Sequence, residues 1–359
     1  MPYSLKDRLV IGIASSALFD LSESDKVFKT SGEAEYRKYQ EENLEVPLEK
    51  GIVFSFVKRL LSLNDLSSDP SNNPLVEVVL LSRNDPDTGL RVMKSIQHHG
   101  LNITRAVFLR GRSTHPYIPA LNISLFLSAN RRDIDEATLA GYPAGHVVDS
   151  MRVDDSGDES LKIAFDFDGV LADDESETIM HRTKDLNQFH EHETKRILEP
   201  HNPGPLKEFV VRISEIQKIE EARRAADPDY KHRLQVSIVT ARNAPSHERA
   251  LKTLKSWGVN AHDAFFLGGV EKRLVLDVLK PHIFFDDQTD HLKTASQVVP
   301  CVHVPFGIKN VPEKAVVTAE AKVEAEQVIL NAKAAAESLQ ADPVEGGAAS
   351  GSNNGEAVS

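Results

Sequence analysis

Short apolar runs rich in β-branched and aromatic side chains recur along the chain, with stretches of helical spacing between them. The runs predict strands at 9–14, 76–82, 106–109, 125–128, 163–168, 236–240, 264–267, 283–286 and 302–305. They are apolar at successive positions, the pattern of strands buried on both faces. Their alternation with helices predicts an α/β fold on a parallel sheet. Two helices are explicit. Leu206, Phe209, Val210, Ile213 and Ile216 repeat at helical spacing behind Pro205, and Ala250, Leu251, Leu254 and Trp257 form a second face closed by Gly258. Both stripes read as core. The Ala/Glu/Lys-rich residues 313–341 predict a C-terminal helix, and 342–359 are too poor in apolar side chains to fold.

The pattern also repeats. Offset by 158, residues 78–137 align with 236–295 without a gap and match at 11 positions, including Lys94/Lys252, Gly100/Gly258, Phe108/Phe266, Gly111/Gly269 and Phe126/Phe284. Chance gives roughly three in such a search. The expectation is an α/β half used twice, over 1–150 and again from 151 onward. Within the second copy, 151–172 and 231–312 form the core and 173–230 an insertion.

Composition narrows the class. At 359 residues the chain is long enough for two or three modules. With one cysteine, Cys301, it forms no internal disulfide, and Lys6, Asp7 and Arg8 stand where a secretory signal needs an apolar stretch. No apolar run approaches the roughly 18 residues of a membrane span. The expectation is a cytoplasmic protein without a membrane partner. A net charge of −12 argues against a nucleic-acid polymer, which basic patches bind. A homo-oligomer stays open.

The candidate chemistry sits at four strand ends. Phe165-Asp166-Phe167-Asp168-Gly169 places two carboxylates two residues apart before a glycine, and strand periodicity points both to one side. Like charges so close need a cation or a shared proton. Alone this could be a turn or a calcium loop. It is joined by Thr240-Ala241-Arg242, by Gly268-Gly269 with Lys272, and by Asp286-Asp287. A hydroxyl with free amides, an ammonium and a second carboxylate pair are what hold a phosphate beside Mg²⁺.

These four segments resemble the motifs of haloacid-dehalogenase-like (HAD) phosphatases. The longer stretches resemble the cytosolic 5′-nucleotidase type I family: Ser15-Ser16-Ala17-Leu18-Phe19, Gly204-Pro205-Leu206-Lys207, Ala241-Arg242 before the 250–258 helix, Phe265 to Gly269 with Lys272, and Pro281 to Gln288. The likeness runs from about residue 8 to 308. It implies a Rossmann-like core with a small helical cap formed by the insertion, whose 206–219 helix suits that cap. It implies a Mg²⁺-dependent hydrolase of nucleoside 5′-monophosphates, AMP foremost. Asp166 would be the nucleophile forming an aspartyl-phosphate, and Asp168 the general acid and then base. Thr240, the amide of Ala241 and Lys272 would hold the phosphoryl oxygens. Asp166, the Asp168 carbonyl and Asp287, with Asp286 beside them, would bind the metal. A phosphatase for another small monoester and a non-catalytic nucleotide sensor are the rival readings.

The first copy lacks these groups. Ser82 falls on Thr240, Thr114 on Lys272, and Ser128-Ala129 on Asp286-Asp287; offset by 152, Ala14 and Ser16 fall on Asp166 and Asp168. An emptied copy could serve packing, oligomer contacts, an effector site or a wall of the substrate pocket. In the insertion, His181, His190, His192 and His201 read as solvated helix residues rather than a zinc set. Asp173-Asp174-Glu175 reads as a solvated helix start.

Overall fold

The computed structural model describes residues 3–150 and 159–310. The expected helix at 313–341 and the tail at 342–359 lie outside them. Ten strands form one sheet: β1 (Leu9–Ile13), β2 (Val76–Ser82), β3 (Arg105–Phe108), β4 (Leu125–Ser128), β5 (Ala144–Val148), β6 (Leu161–Phe165), β7 (Leu234–Thr240), β8 (Asp263–Phe266), β9 (Ile283–Asp286) and β10 (Cys301–His303). Their order is β3-β2-β1-β4-β5-β10-β9-β6-β7-β8.

All neighbours run parallel except β5 and β10. The sheet is therefore parallel within each half, as expected, and mixed only at the seam between them. The cause is a tertiary one: the last strand of each half pairs with the other, and the two run in opposite senses. Around this seam the order 3-2-1-4-5 is matched by 8-7-6-9-10. The bounds of β2, β3 and β4 map onto β7, β8 and β9 at the 158 offset, and those of β1 onto β6 at 152.

The likeness reaches the insertions. Residues 14–75 separate β1 from β2, and 166–233 separate β6 from β7. Each contains an isolated antiparallel bridge, Phe19 with Lys50 and Ala172 with Pro203. Behind the bridges Gly51 and Gly204 lie so close to the opposite backbone that a Cβ would collide with the carbonyls of Ala17 and Ala172. The helices Phe54–Ser62 and Lys207–Ala226 then start at equivalent points.

Both helices cover the same face of the sheet. Phe56, Val57 and Leu60 share one buried cluster with Phe209, Val210 and Ile213. Phe209 packs edge-on against Phe165 and Phe285, centroids 5.9 and 6.0 Å away. The apolar stripe from Leu206 is thus core, and its helix belongs to the layer on the sheet. The expectation that it forms the cap is corrected, leaving the helices Glu175–Thr183 and Leu186–Lys195 for that position. On the opposite face the halves keep separate cores, around Ile134 and Phe126 in one and Leu292 and Phe284 in the other.

Candidate active site

Every candidate residue lies where a strand of the second half ends. β6 stops at Phe165, so Asp166 and Asp168 stand on the loop beyond it. Their common side is therefore not set by strand pleat, as the sequence reading assumed. Phe167 between them is fully buried, its ring 5.3 Å from that of His201, and its amide donates to Asp166 Oδ1 at 2.7 Å. Asp166 and Asp168 flank this anchor, and both are buried. Gly169 has φ +70°, and a Cβ there would lie 2.7 Å from Asp287 Cγ. Only glycine admits both the left-handed backbone and that approach.

Lys272 brings two of the motifs together. Its Nζ is 2.6 Å from Asp166 Oδ2 and 2.7 Å from Asp286 Oδ2. Burial works against its proton, but the two carboxylates outweigh burial and hold the ammonium well above its ordinary value. Burial pushes Asp166 up to about 6 against the pull of Lys272, with the Asp286 and Asp168 charges adding to the rise. On Asp286 burial loses instead to Lys272 and His291, and the group stays below its usual range.

Asp287 is the opposite case. Both of its oxygens are buried and meet no hydrogen-bond partner. Burial, then the charges of Glu177, Asp166 and Asp286, push it up to about 10. Glu177, from the Glu175–Thr183 helix, is pushed up to about 8 by burial, Asp168 and Asp166. An unpartnered buried carboxylate among four others is a donor set that fits a hard divalent cation. Asp166, Asp286 and His291 also bring one ligand atom each within 4.8 Å of the others, as do Asp173, Glu175 and His201.

Asp168 is clamped. Arg242 Nε donates to its Oδ2 at 2.7 Å and Nη2 to its Oδ1 at 2.6 Å. The same guanidinium, buried and packed over Phe167, pairs with Glu193. Glu193 continues to Arg249 at 2.9 Å and to His201 at 3.2 Å, and Arg249 to Glu175 at 3.1 Å. His201 is therefore buried rather than solvated, which corrects that expectation, and Glu175 is an ion-pair member. Thr240 lies buried at the end of β7 and its Oγ1 accepts from the Arg242 amide at 3.3 Å, while Ala241 is exposed.

The structure thus joins Asp166, Lys272 and Asp286 directly, sets Asp287 against Gly169, and ties Asp168 to the Thr240 loop through Arg242. The sequence reading gave Arg242 no role and passed over Glu177 and Glu193. A lone acid on a polar helix carries no signal of the charge it will face. Also missed were His146 and His303, paired across the β5–β10 seam. Each touches the carbonyl just past the neighbouring strand: His146 Nε2 that of Ala129 at 3.1 Å, His303 Nε2 that of Asp287 at 3.0 Å.

Among the described residues no helix is long and apolar enough to cross a membrane. Among solved structures, histidinol dehydrogenase from Elizabethkingia anophelis covers 82% of this chain and 79% of its own at 8% identity, but a TM-score of 0.19 carries no argument. Human cytosolic 5′-nucleotidase 1B is 34% identical over 304 residues, 83% of this chain and 48% of that protein. The chain spans about half the length of that relative. A model of the 5′-nucleotidase family matches residues 1–311, a span that contains all the described residues, so the chain belongs to the 5′-nucleotidase family.

Proposed function

We propose that the chain hydrolyses nucleoside 5′-monophosphates, AMP foremost, to nucleoside and phosphate, as a cytoplasmic Mg²⁺-dependent enzyme. The observation that carries this reading is Asp166 held against Lys272 beside the unpartnered Asp287. Monoester hydrolysis is among the slowest uncatalysed reactions, and a dianionic phosphate repels a carboxylate nucleophile. Positive charge must come first. Lys272 supplies part of it, and Asp287, Asp166 and the Asp168 carbonyl, with Asp286 behind them, would hold Mg²⁺. Bound there, the cation neutralises phosphoryl charge as a Lewis acid.

Asp166 Oδ attacks phosphorus in line, the P–O bond to the 5′-oxygen breaks, and an aspartyl-phosphate forms. The departing oxygen takes a proton from Asp168, which then removes one from the water that releases phosphate. Thr240 Oγ1 and the Ala241 amide hold the phosphoryl oxygens. Asp166, Lys272 and Asp287 are almost wholly buried in this arrangement. Substrate entry therefore requires the two insertion helices to move. Such a motion would separate Glu193, on the second of these helices, from Arg242, which stands at the end of β7.

The test is phosphate release from a panel of nucleoside 5′-monophosphates and plain phosphomonoesters, with Mg²⁺ and with EDTA. Release confined to nucleotides and to Mg²⁺ is expected. Equal rates on sugar phosphates point to a general phosphatase. Measurable AMP binding without turnover points to a sensor.

A further inference from the structure

Because β5 and β10 are antiparallel, the strands of the two halves end at opposite edges of the sheet. The N-terminal half has its own cleft there, about 1320 Å³, beyond the ends of β1, β2 and β4. It cannot be a wall of the candidate active site. The Ser22–Glu42 helix, from the insertion between β1 and β2, walls it with Phe28, Lys29 and Tyr36.

The phosphate-type turn survives in this cleft. Asn84 N donates to Ser82 Oγ at 3.1 Å, as Arg242 N does to Thr240 Oγ1, and Ser82 Oγ lies 3.1 Å from Ser15 Oγ. What has gone is the carboxylate pairs at the strand tips. Ala14, Ser16, Ser128 and Ala129 stand where the second half has four carboxylates, so no metal is needed before an anion can enter. Of the acids that line the cleft, Asp85 and Glu33 pair with Arg37 and Asp133 with Arg83, Asp20 accepts from the Ser22 amide at 2.9 Å, and Asp25 and Asp149 line it as well. Arg110 extends from the end of β3 with no ion pair among the described residues, Lys50 lines the same space, and so does Arg131, whose Nε also donates to Asp135 at 2.7 Å.

We propose that this cleft binds the phosphoryl group of a small molecule, free orthophosphate or a phosphate ester, without a metal and without hydrolysing it. Ser15 and Ser82 donate hydroxyls to it and Arg110 and Arg131 supply charge. The half-exposed ring of Phe28 is placed to cover the organic part of an ester.

Calorimetric titration of the full chain in EDTA tests this, with orthophosphate and phenyl phosphate as probes. EDTA silences the acidic site, which needs its cation before it accepts phosphate, so one binding event per chain is expected. Arg110→Glu, on an exposed loop, should weaken it at least tenfold while leaving turnover of nucleotide with Mg²⁺ unchanged. Lys272→Ala should leave it intact. Phenyl phosphate binding more tightly than orthophosphate identifies an ester as the occupant, and the reverse identifies free phosphate. No binding of either at millimolar concentration overturns the proposal. So does binding that survives both Arg110→Glu and Arg131→Gln, or that disappears with Lys272→Ala. Turnover measured separately with Mg²⁺ keeps these outcomes distinct from any failure of the nucleotidase reading.

Discussion

The two halves of the sheet share strand order, strand bounds, insertion points and even the glycine behind each bridge, yet only one carries pairs of carboxylates at its strand ends. Asp166, Asp168, Asp286 and Asp287 in one half face Ala14, Ser16, Ser128 and Ala129 in the other. The scaffold is set by apolar side chains buried in both halves, and the chemistry by a handful of loop residues that contribute little to the core. Fold and reactivity are separable here because they occupy different parts of each strand: the body and the tip.

The largest expected effect tests that separation directly. Asp166→Asn removes the proposed nucleophile and should lower phosphate release on the order of 10⁴-fold or more, the scale for losing a covalent nucleophile. Ser16→Ala, near the equivalent tip, should leave turnover within about twofold. Steady-state release with AMP and Mg²⁺, with circular dichroism to show an intact fold, decides both. A comparable loss in Ser16→Ala would mean the N-terminal half takes part in the reaction.

Next comes stability. Arg242→Ala strands Asp168 without its cation and leaves Glu193 to Arg249 and His201, and breaking one partner of such a buried network costs about 3–5 kcal/mol. At the equivalent position Asn84 faces no such acids, and Asn84→Ala should stay within about 1 kcal/mol. Denaturant midpoints at constant slope measure the difference. Equal small effects would show that the Arg242 pairs are not held in the resting protein.

Much of this contrast was legible in the sequence, for a physical reason. A strand buried on both faces reads as a nearly continuous apolar run, so β2, β4 and β9 were placed to the residue. A carboxylate pair abutting such a run is conspicuous, which exposed Asp166, Asp168, Asp286 and Asp287. β5 escaped because Ala144-Gly145-His146 dilutes the apolar signal in a five-residue strand. The Ser22–Glu42 helix escaped because it buries only Ser24 and Gln40. The antiparallel seam is a pairing between distant segments and leaves no local mark. Nor does the Arg242–Glu193 pair, whose members lie in different elements.

A smaller effect probes the close approach at the first loop. Gly169→Ala places a Cβ 2.7 Å from Asp287 Cγ on a left-handed backbone, so the loop must shift. A cost of about 1–3 kcal/mol is expected, with weaker divalent-cation binding as the more specific readout. Unchanged Mg²⁺ affinity in a folded Gly169→Ala protein would remove Asp287 from the proposed ligand set.

The smallest effect is a pH dependence that the second half alone should confer. In the cation-free protein Asp287 and Glu177 are raised to about 10 and about 8, chiefly by burial and by neighbouring carboxylates. A carboxyl raised on folding keeps a proton that the unfolded chain has released. Its contribution to stability is full at low pH and declines as pH climbs from the ordinary carboxylate range through the folded value. Mg²⁺ displaces those protons and relieves the repulsion, so its binding strengthens as pH rises. The gain in melting temperature on adding Mg²⁺ should accordingly be larger at about pH 9 than at about pH 6. Near 100-fold excess over the dissociation constant the stabilisation is about 2.7 kcal/mol, a shift of a few degrees. Asp287→Asn should flatten the dependence, because the amide has no proton to lose. Ser128→Ala, at the β4 end, should leave it untouched. A Mg²⁺ shift of the same size at both pH values in the native protein would show that the buried acids of the second half are not what the cation meets.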